Sequence, residues 1–179
     1  IIGNPPYQLN DGGGTGSSAM PIYHKFIEQA MKLNPRYLTM IIPSRWFSGG
    51  RGLDEFRNKM LNDERIRIIH DYPNSNDCFP GVQVEGGVNY FLWNRDSKGD
   101  ATIVTHDSKG IISQTTRPLL EKGVDTLVRY NEAIPILRKI QMLEEKSFSE
   151  IVSPNDPFGF DVREVGGYKR IKPKFDLKQ

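Results

Sequence analysis

The sequence predicts an α/β fold, the second half of an α/β sandwich, followed by a smaller α+β region. Three observations carry this. Apolar runs rich in β-branched residues alternate with stretches whose apolar residues recur every three to four positions. The first apolar run breaks abruptly at two adjacent prolines. A polar stretch, "NRDSKGD", then separates this alternation from two short strands with a turn of their own. The expected division is 1–97 and 98–179.

The opening "IIG" is a short apolar strand that stops at Asn4-Pro5-Pro6-Tyr7. Proline fixes φ near −65° and has no N–H to donate, and the residue before a proline is pushed into extended geometry. The tetrapeptide is therefore stiff and extended, and offers carbonyls, one amide side chain and one ring. It is either a strand running into a turn or a pre-organised site that accepts hydrogen bonds and stacks a flat ring. "LNDGGGTGSSA" follows as a loop. Its Gly14, Gly16 and Ala19 have dinucleotide-fingerprint spacing. That fingerprint needs a strand directly before it and an acidic residue about 20 positions on. Neither is present, so a mobile loop beside a site is the better reading.

"PIYHKFIEQAMKL" predicts a helix with Pro21 in its first turn and Ile22, Phe26, Ala30 and Leu33 on its inner face. Residues 37–44, "YLTMIIPS", are a buried strand stopped by Pro43. "GLDEFRNKML" is a second helix, with Leu53, Phe56 and Met60 inward. "RIRIIHDY" and "GVNYFLWNR" are strands joined by the long loop "PNSNDCFPGVQVEG". Beyond the boundary, "ATIVTHD" and "GIISQTT" form a hairpin. "NEAIPILRKIQMLEE" is a helix with Pro135 in its first turn and Ile136, Ile140 and Leu143 inward. A short basic strand falls at 168–175.

A chain of 179 residues holds one ordinary domain, or one and part of another. Its net charge of +2 names no partner, but basic residues cluster as Arg45, Arg51, Arg57 and Lys59, and as Lys169, Arg170, Lys172 and Lys174. No run approaches the ~18–20 apolar residues of a membrane span, no signal peptide is visible, and the first residue is not methionine. The sequence reads as a piece of a larger protein that begins at "IIGNPPY". The single cysteine, Cys78, excludes an internal disulfide framework and suits a reducing compartment. With no histidine nearby it is not expected to act as a nucleophile or metal ligand. His24, His70 and His106 have no ligand spacing, so structural roles and no metal are expected.

"IIGNPPYQ" resembles the catalytic motif of adenine-specific DNA methyltransferases, the amino-methyltransferases of bacterial restriction–modification systems. "MIIPSRWFSGGRGLDEFR" and "NSNDCFPGVQVEGGVNYFLW" are similar to later blocks of the same group. The resemblance covers the first hundred or so residues well and the rest loosely. It implies a Rossmann-like sheet that binds S-adenosylmethionine, of which this chain supplies the second half, and then the start of a DNA target-recognition region.

The resemblance also implies roles for residues. Asn4 and the Pro5 carbonyl would accept the hydrogens of an adenine amino group, Pro6 would add stiffness, and Tyr7 would stack the extruded base. Phe79 of "DCFPGV" matches the position of a second stacking ring, or else tucks into the core. Trp46 and Phe47 line the base pocket or pack in the core. Ser44 and Arg45 touch DNA or cofactor, or end a strand in solvent. Arg45, Lys169, Arg170 and Lys172 are candidate DNA contacts. For S-adenosylmethionine only Asn4 is available here, the main binding loop being expected upstream of Ile1, so the piece alone should be inactive. Expected partners are double-stranded DNA, the missing N-terminal half, and a restriction endonuclease subunit or domain, in the bacterial cytoplasm with no membrane contact. A protein-glutamine methyltransferase of the release-factor type, which shares Asn-Pro-Pro-Tyr, and a non-catalytic DNA-binding or specificity module are the alternatives.

Overall fold

The computed structural model describes residues 1–9, 20–145 and 152. In chain order the strands are β1 (Ile2–Gly3), β2 (Gln8–Leu9), β3 (Met20–Pro21), β4 (Tyr37–Pro43), β5 (Ile66–Tyr72), β6 (Val88–Asn94), β7 (Ala101–Asp107) and β8 (Gly110–Arg117). The helices are α1 (Tyr23–Lys32), α2 (Asp54–Leu61) and α3 (Ala133–Gln141). A six-stranded mixed sheet has the order β1-β4-β6-β5-β7-β8, and β2 pairs with β3 as a separate ladder. The fold class is thus α/β, as the alternation of patterns predicts.

β1 lies parallel to β4, with Ile2 opposite Thr39. β6 enters antiparallel between β4 and β5, so that Met40 faces Phe91 on one side and Ile69 faces Phe91 on the other. β7 runs parallel to β5, with Ile68 opposite Thr102, and β8 returns as its hairpin partner. The expected hairpin is therefore present, and it extends the same sheet.

Alternation along the strands sends every second residue to the helix side. Leu38, Met40 and Ile42 of β4, Ile69 of β5 and Phe91 and Trp93 of β6 are buried there. They meet Tyr23, Ile27 and Ala30 of α1 and Phe56 and Met60 of α2. Full burial of one such large apolar side chain contributes about 1.5–3 kcal/mol. The inner face expected for α2, Leu53, Phe56 and Met60, is buried as read.

Two helix faces differ from expectation. In α1, Ile22 is the residue before the first turn, and Phe26 and Leu33 are exposed. Pro21 is held in β3 opposite Gln8, so the helix starts two residues later, and Tyr23 turns inward edge-on to Phe56. Ile136 and Ile140 of α3, and Leu143 just beyond its end, are exposed, and Ile134 is the buried residue of the helix. Periodicity identifies an apolar stripe but not what covers it. The chain divides into units 1–136 and 137–179. The glycine loop at 10–19 and the basic strand at 168–175 lie outside the described residues.

The sheet face away from α1 and α2 carries an aromatic row. Tyr90 stacks on His70 with centroids 4.6 Å apart, and His106 stacks on Tyr72 at 4.3 Å. His70 Nδ1 and His106 Nε2 are 2.8 Å apart, so one donates to the other. Histidines that look scattered in the sequence are joined here by the β5–β7 pairing. Among the described residues no group of three or more His, Cys, Asp or Glu could hold a metal, and no helix is long and apolar enough to cross a membrane.

Candidate functional site

β1 ends where its prolines begin. Pro5 is buried, Pro6 is exposed and Tyr7 is half-buried. The Ile22 N–H donates to the Tyr7 carbonyl at 3.1 Å, and Gln8 pairs with Pro21, so the segment is tied to the entrance of α1. The Asn4 side chain is exposed and makes no hydrogen bond to any described residue. It opens on a cavity of about 720 Å³. Asn4 to Gln8 form one wall, Pro43 and Arg45 at the end of β4 a second, and Val82 to Glu85 a third. Pro5 and Pro6 have no N–H, so the polar groups available along the first wall are chiefly acceptors.

The second wall rests on a buried polar network. Ser44 is buried: its Oγ donates to Asp71 Oδ1 at 2.9 Å and accepts from Asn89 Nδ2 at 3.2 Å. Asp71 is also gripped by Arg129 through Nε and Nη2, the latter at 2.7 Å. The alternative of a solvated strand end is thereby corrected for Ser44, because its hydroxyl is buried and already bonded to Asp71 and Asn89. Ser44 N–H donates to the Gly87 carbonyl at 2.9 Å, which pins the third wall to the second. Gly87 has φ +82°, and a Cβ there would lie 2.1 Å from the Tyr72 carbonyl oxygen. Only glycine fits this closure.

Trp46 and Phe47 are buried, their rings edge to face with centroids 4.7 Å apart. They pack in the core and do not line the cavity. Phe79 is half-buried in the loop just before the third wall, and its carbonyl accepts from Val82 N–H at 3.0 Å. It is not among the lining residues. Asn4, Pro5, Pro6, Tyr7 and Arg45 are brought together; Lys169, Arg170 and Lys172 lie outside the described residues.

Electrostatics keep the phenols neutral. Burial, and then the nearby Cys78, push the Tyr7 phenol up. Burial likewise raises the Cys78 thiol. Tyr23, on the cavity lining, is raised further by burial, against the opposing pull of the Trp46 amide and the Arg45 charge. Its hydroxyl completes no hydrogen bond of proper geometry. Arg45 approaches Glu85 at 3.7 Å, and its Nε is buried without a partner among the described residues. Arg51 lines the cavity from a left-handed backbone, φ +51°, between glycines that share it.

Sequence reasoning did not find Tyr23, Val82, Gln83, Val84 or Glu85. Tyr23 was hidden by a helix stripe drawn through Ile22 and Phe26. The third wall sits in a loop whose only signal was the pair of glycines after Glu85.

Residues 1–79 match the model of the Eco57I restriction-modification methylase family. An adenine-specific methylase of Mycoplasma pneumoniae, itself described as uncharacterized, is 40% identical over 111 residues, which make up 61% of this chain and 26% of that protein. The chain thus spans 26% of the length of that relative. The type I restriction-modification methyltransferase subunit from Streptococcus thermophilus aligns over 82% of this chain and 32% of its own, at 12% identity and a TM-score of 0.43. A chain from a structure of the type I restriction–modification system aligns over 79% and 28%, at 15% identity and a TM-score of 0.44. On the sequence matches, the resemblance holds: this chain is similar to a restriction-modification methylase family over residues 1–79 and to an adenine-specific methylase over 111 residues.

Proposed function

We propose that the chain supplies the base-binding side of a DNA adenine methyltransferase, in which the Asn4 cavity receives an adenine turned out of the duplex. The observation that supports this most is the Asn4 carboxamide, without a hydrogen-bond partner among the described residues, beside N–H-free Pro5 and Pro6 and opening on the 720 Å³ cavity with Tyr7. An adenine amino group is a poor nucleophile because its lone pair is delocalised into the ring. Acceptors that hold both of its hydrogens draw the nitrogen toward tetrahedral geometry and localise the pair. Asn4 and the Pro5 carbonyl are suited to this. Neither is basic, so rate comes from positioning and from fixed dipoles. Turning the base out costs a few kcal/mol, and stacking on Tyr7 returns about 1–3 kcal/mol.

S-adenosylmethionine, when bound, supplies an electrophilic methyl group. The residues present fit its reacting end, since Asn4 lines the cavity with an acceptor that no described residue engages; Asn4 is the residue here that would meet it. Arg45 is proposed as a contact to the DNA backbone, with Lys169, Arg170 and Lys172 beyond the described residues.

Methyl transfer from labelled S-adenosylmethionine to duplex DNA, measured with the intact protein and its Asn4→Ala variant, tests this reading. The expected outcome is a loss of about 10²-fold or more in the variant, with DNA binding retained. A variant keeping over a tenth of the rate removes Asn4 from the chemistry. Transfer to a release-factor peptide and not to DNA would give the protein-glutamine reading instead. Salt-dependent DNA binding with no transfer to either would give the specificity-module reading.

A further inference from the structure

Beyond Arg45 lies a second cavity of about 440 Å³, which includes Ser48, Thr126 and Arg129 in its walls. It shares Arg45 and Glu85 with the Asn4 cavity, so this pair forms the partition between the two. We propose that the second cavity binds a backbone phosphate of the strand whose base enters the Asn4 cavity, Arg45 exchanging Glu85 for that phosphate. The proposal rests on the reading of nucleic acid as substrate.

Arg45 has more donor capacity than its neighbours here engage. A guanidinium carries five N–H groups in a rigid fork. Here its charged partner is a Glu85 oxygen 3.7 Å away, beyond hydrogen-bond length. Nε is buried and has no hydrogen-bond acceptor among the described residues. A buried donor without a partner is costly, and the same side chain lines both cavities. Glu85 is a weak incumbent, because its side chain is 85% exposed and an ion pair of this kind contributes little.

The far wall is built for an anion as well. Arg129 gives Nε and Nη2 to Asp71 and has Nη1 left over. Its guanidinium sits 5.6 Å from the Phe47 ring centroid, which holds its plane in place. Thr126 adds a hydroxyl donor, and Ser48, whose Oγ donates to the Arg45 carbonyl at 3.3 Å, lines the same wall. A phosphodiester offers two charged oxygens, which match an arginine fork and an adjacent hydroxyl. A base edge would not use the surplus of donors over acceptors.

Binding of a fluorescent duplex oligonucleotide, followed by anisotropy across a salt series, tests the exchange in wild type, Arg45→Gln, Glu85→Gln and the double variant. Arg45→Gln should reduce the salt slope by about 0.9, the loss of one phosphate contact. Glu85→Gln should tighten binding several-fold in wild type, and only by the small effect of a lost negative charge when Arg45 is already replaced. Glu55→Gln, on the exposed side of α2, removes the same charge elsewhere and should give its small effect in either background. Equal tightening by Glu85→Gln with and without Arg45 overturns the exchange, as does an unchanged slope in Arg45→Gln. Glu85 is exposed enough that its variant does not depend on refolding of the core. Wild-type protein with no salt-dependent binding overturns this proposal and the nucleic-acid reading together. Binding that shows no Arg45–Glu85 coupling overturns this proposal alone.

Discussion

Arg129 closes on the carboxylate of Asp71, 58 positions earlier in the chain, with two N–H groups, while Ser44 Oγ donates to the same carboxylate at 2.9 Å. Asp71 is 1% exposed. A charge so enclosed is tolerable only while its partners remain, since desolvation is expensive and the hydrogen bonds repay it. The pair thereby anchors the start of the wall that carries Arg45.

Removing one partner should cost more than removing both. Arg129→Met leaves the Asp71 charge buried without its cation and should destabilise by about 3–5 kcal/mol. Adding Asp71→Asn to that variant should recover part of the loss. Urea unfolding of the single and double variants measures it, and equal stabilities for the two would show that the pair is not the anchor.

Gly87→Ala should be among the most damaging small substitutions. The new Cβ would meet the Tyr72 and Pro73 carbonyl oxygens at 2.1 and 2.6 Å, both in the backbone. Gly86→Ala has a similar φ of +83° but nothing within 4 Å, so it carries only the backbone strain, about 1–2 kcal/mol. Thermal melting should place Gly87→Ala well below Gly86→Ala; the reverse order contradicts the close approach.

The Tyr7 ring face should matter more than its hydroxyl. Tyr7→Phe and Tyr7→Trp should retain base extrusion, and Tyr7→Ala should lose most of it, reported by 2-aminopurine fluorescence at the target position. Loss of about 1–3 kcal/mol of stacking corresponds to roughly 5- to 150-fold in the extruded population. Equal signals from wild type and Tyr7→Ala would argue against stacking.

Stability should fall in mild acid through the imidazole pair. Burial holds His70 below the usual histidine value, with His106 adding to it, and burial lowers His106 against the pull of Asp71. The unfolded chain therefore binds protons at a higher pH than the folded one. Stability is full above about pH 7 and declines as pH drops through ~6.5 and below. His24, also lowered by burial, acts in the same direction. In His70→Gln the decline between pH 7 and 5 should be shallower; an identical decline would place the dependence elsewhere.

Strands and the motif were legible because both are local. β-branched runs such as "YLTMII" and "RIRII" announce buried strands, and Pro5 and Pro6 announce a stiff stop. The inward face of α2 was also legible, since Leu53, Phe56 and Met60 have no apolar rivals on the other side. In α1 there were rivals: Phe26 and Leu33 compete with Tyr23 and Ile27, and only the sheet beneath decides between them. The Ser44–Asp71–Arg129 network could not be read at all. It joins residues from three separate stretches, and nothing in any one of them signals burial of a charge.

The placement of β6 also sets an order of events during synthesis. β4 and β5 are never neighbours; each is held by β6, whose Val88 meets Pro43 on one side and Tyr72 on the other. A chain emerging from the ribosome therefore carries two unjoined strands and two helices with uncovered apolar stripes until residue 94 is available. Non-local pairing of this kind is slow and leaves apolar surface open meanwhile. The cavity walls at Arg45 and Glu85 come together only in that last step, so nascent chains halted before Val88 should be bound by chaperones and cut by protease, whereas those halted well past Asn94 should resist both.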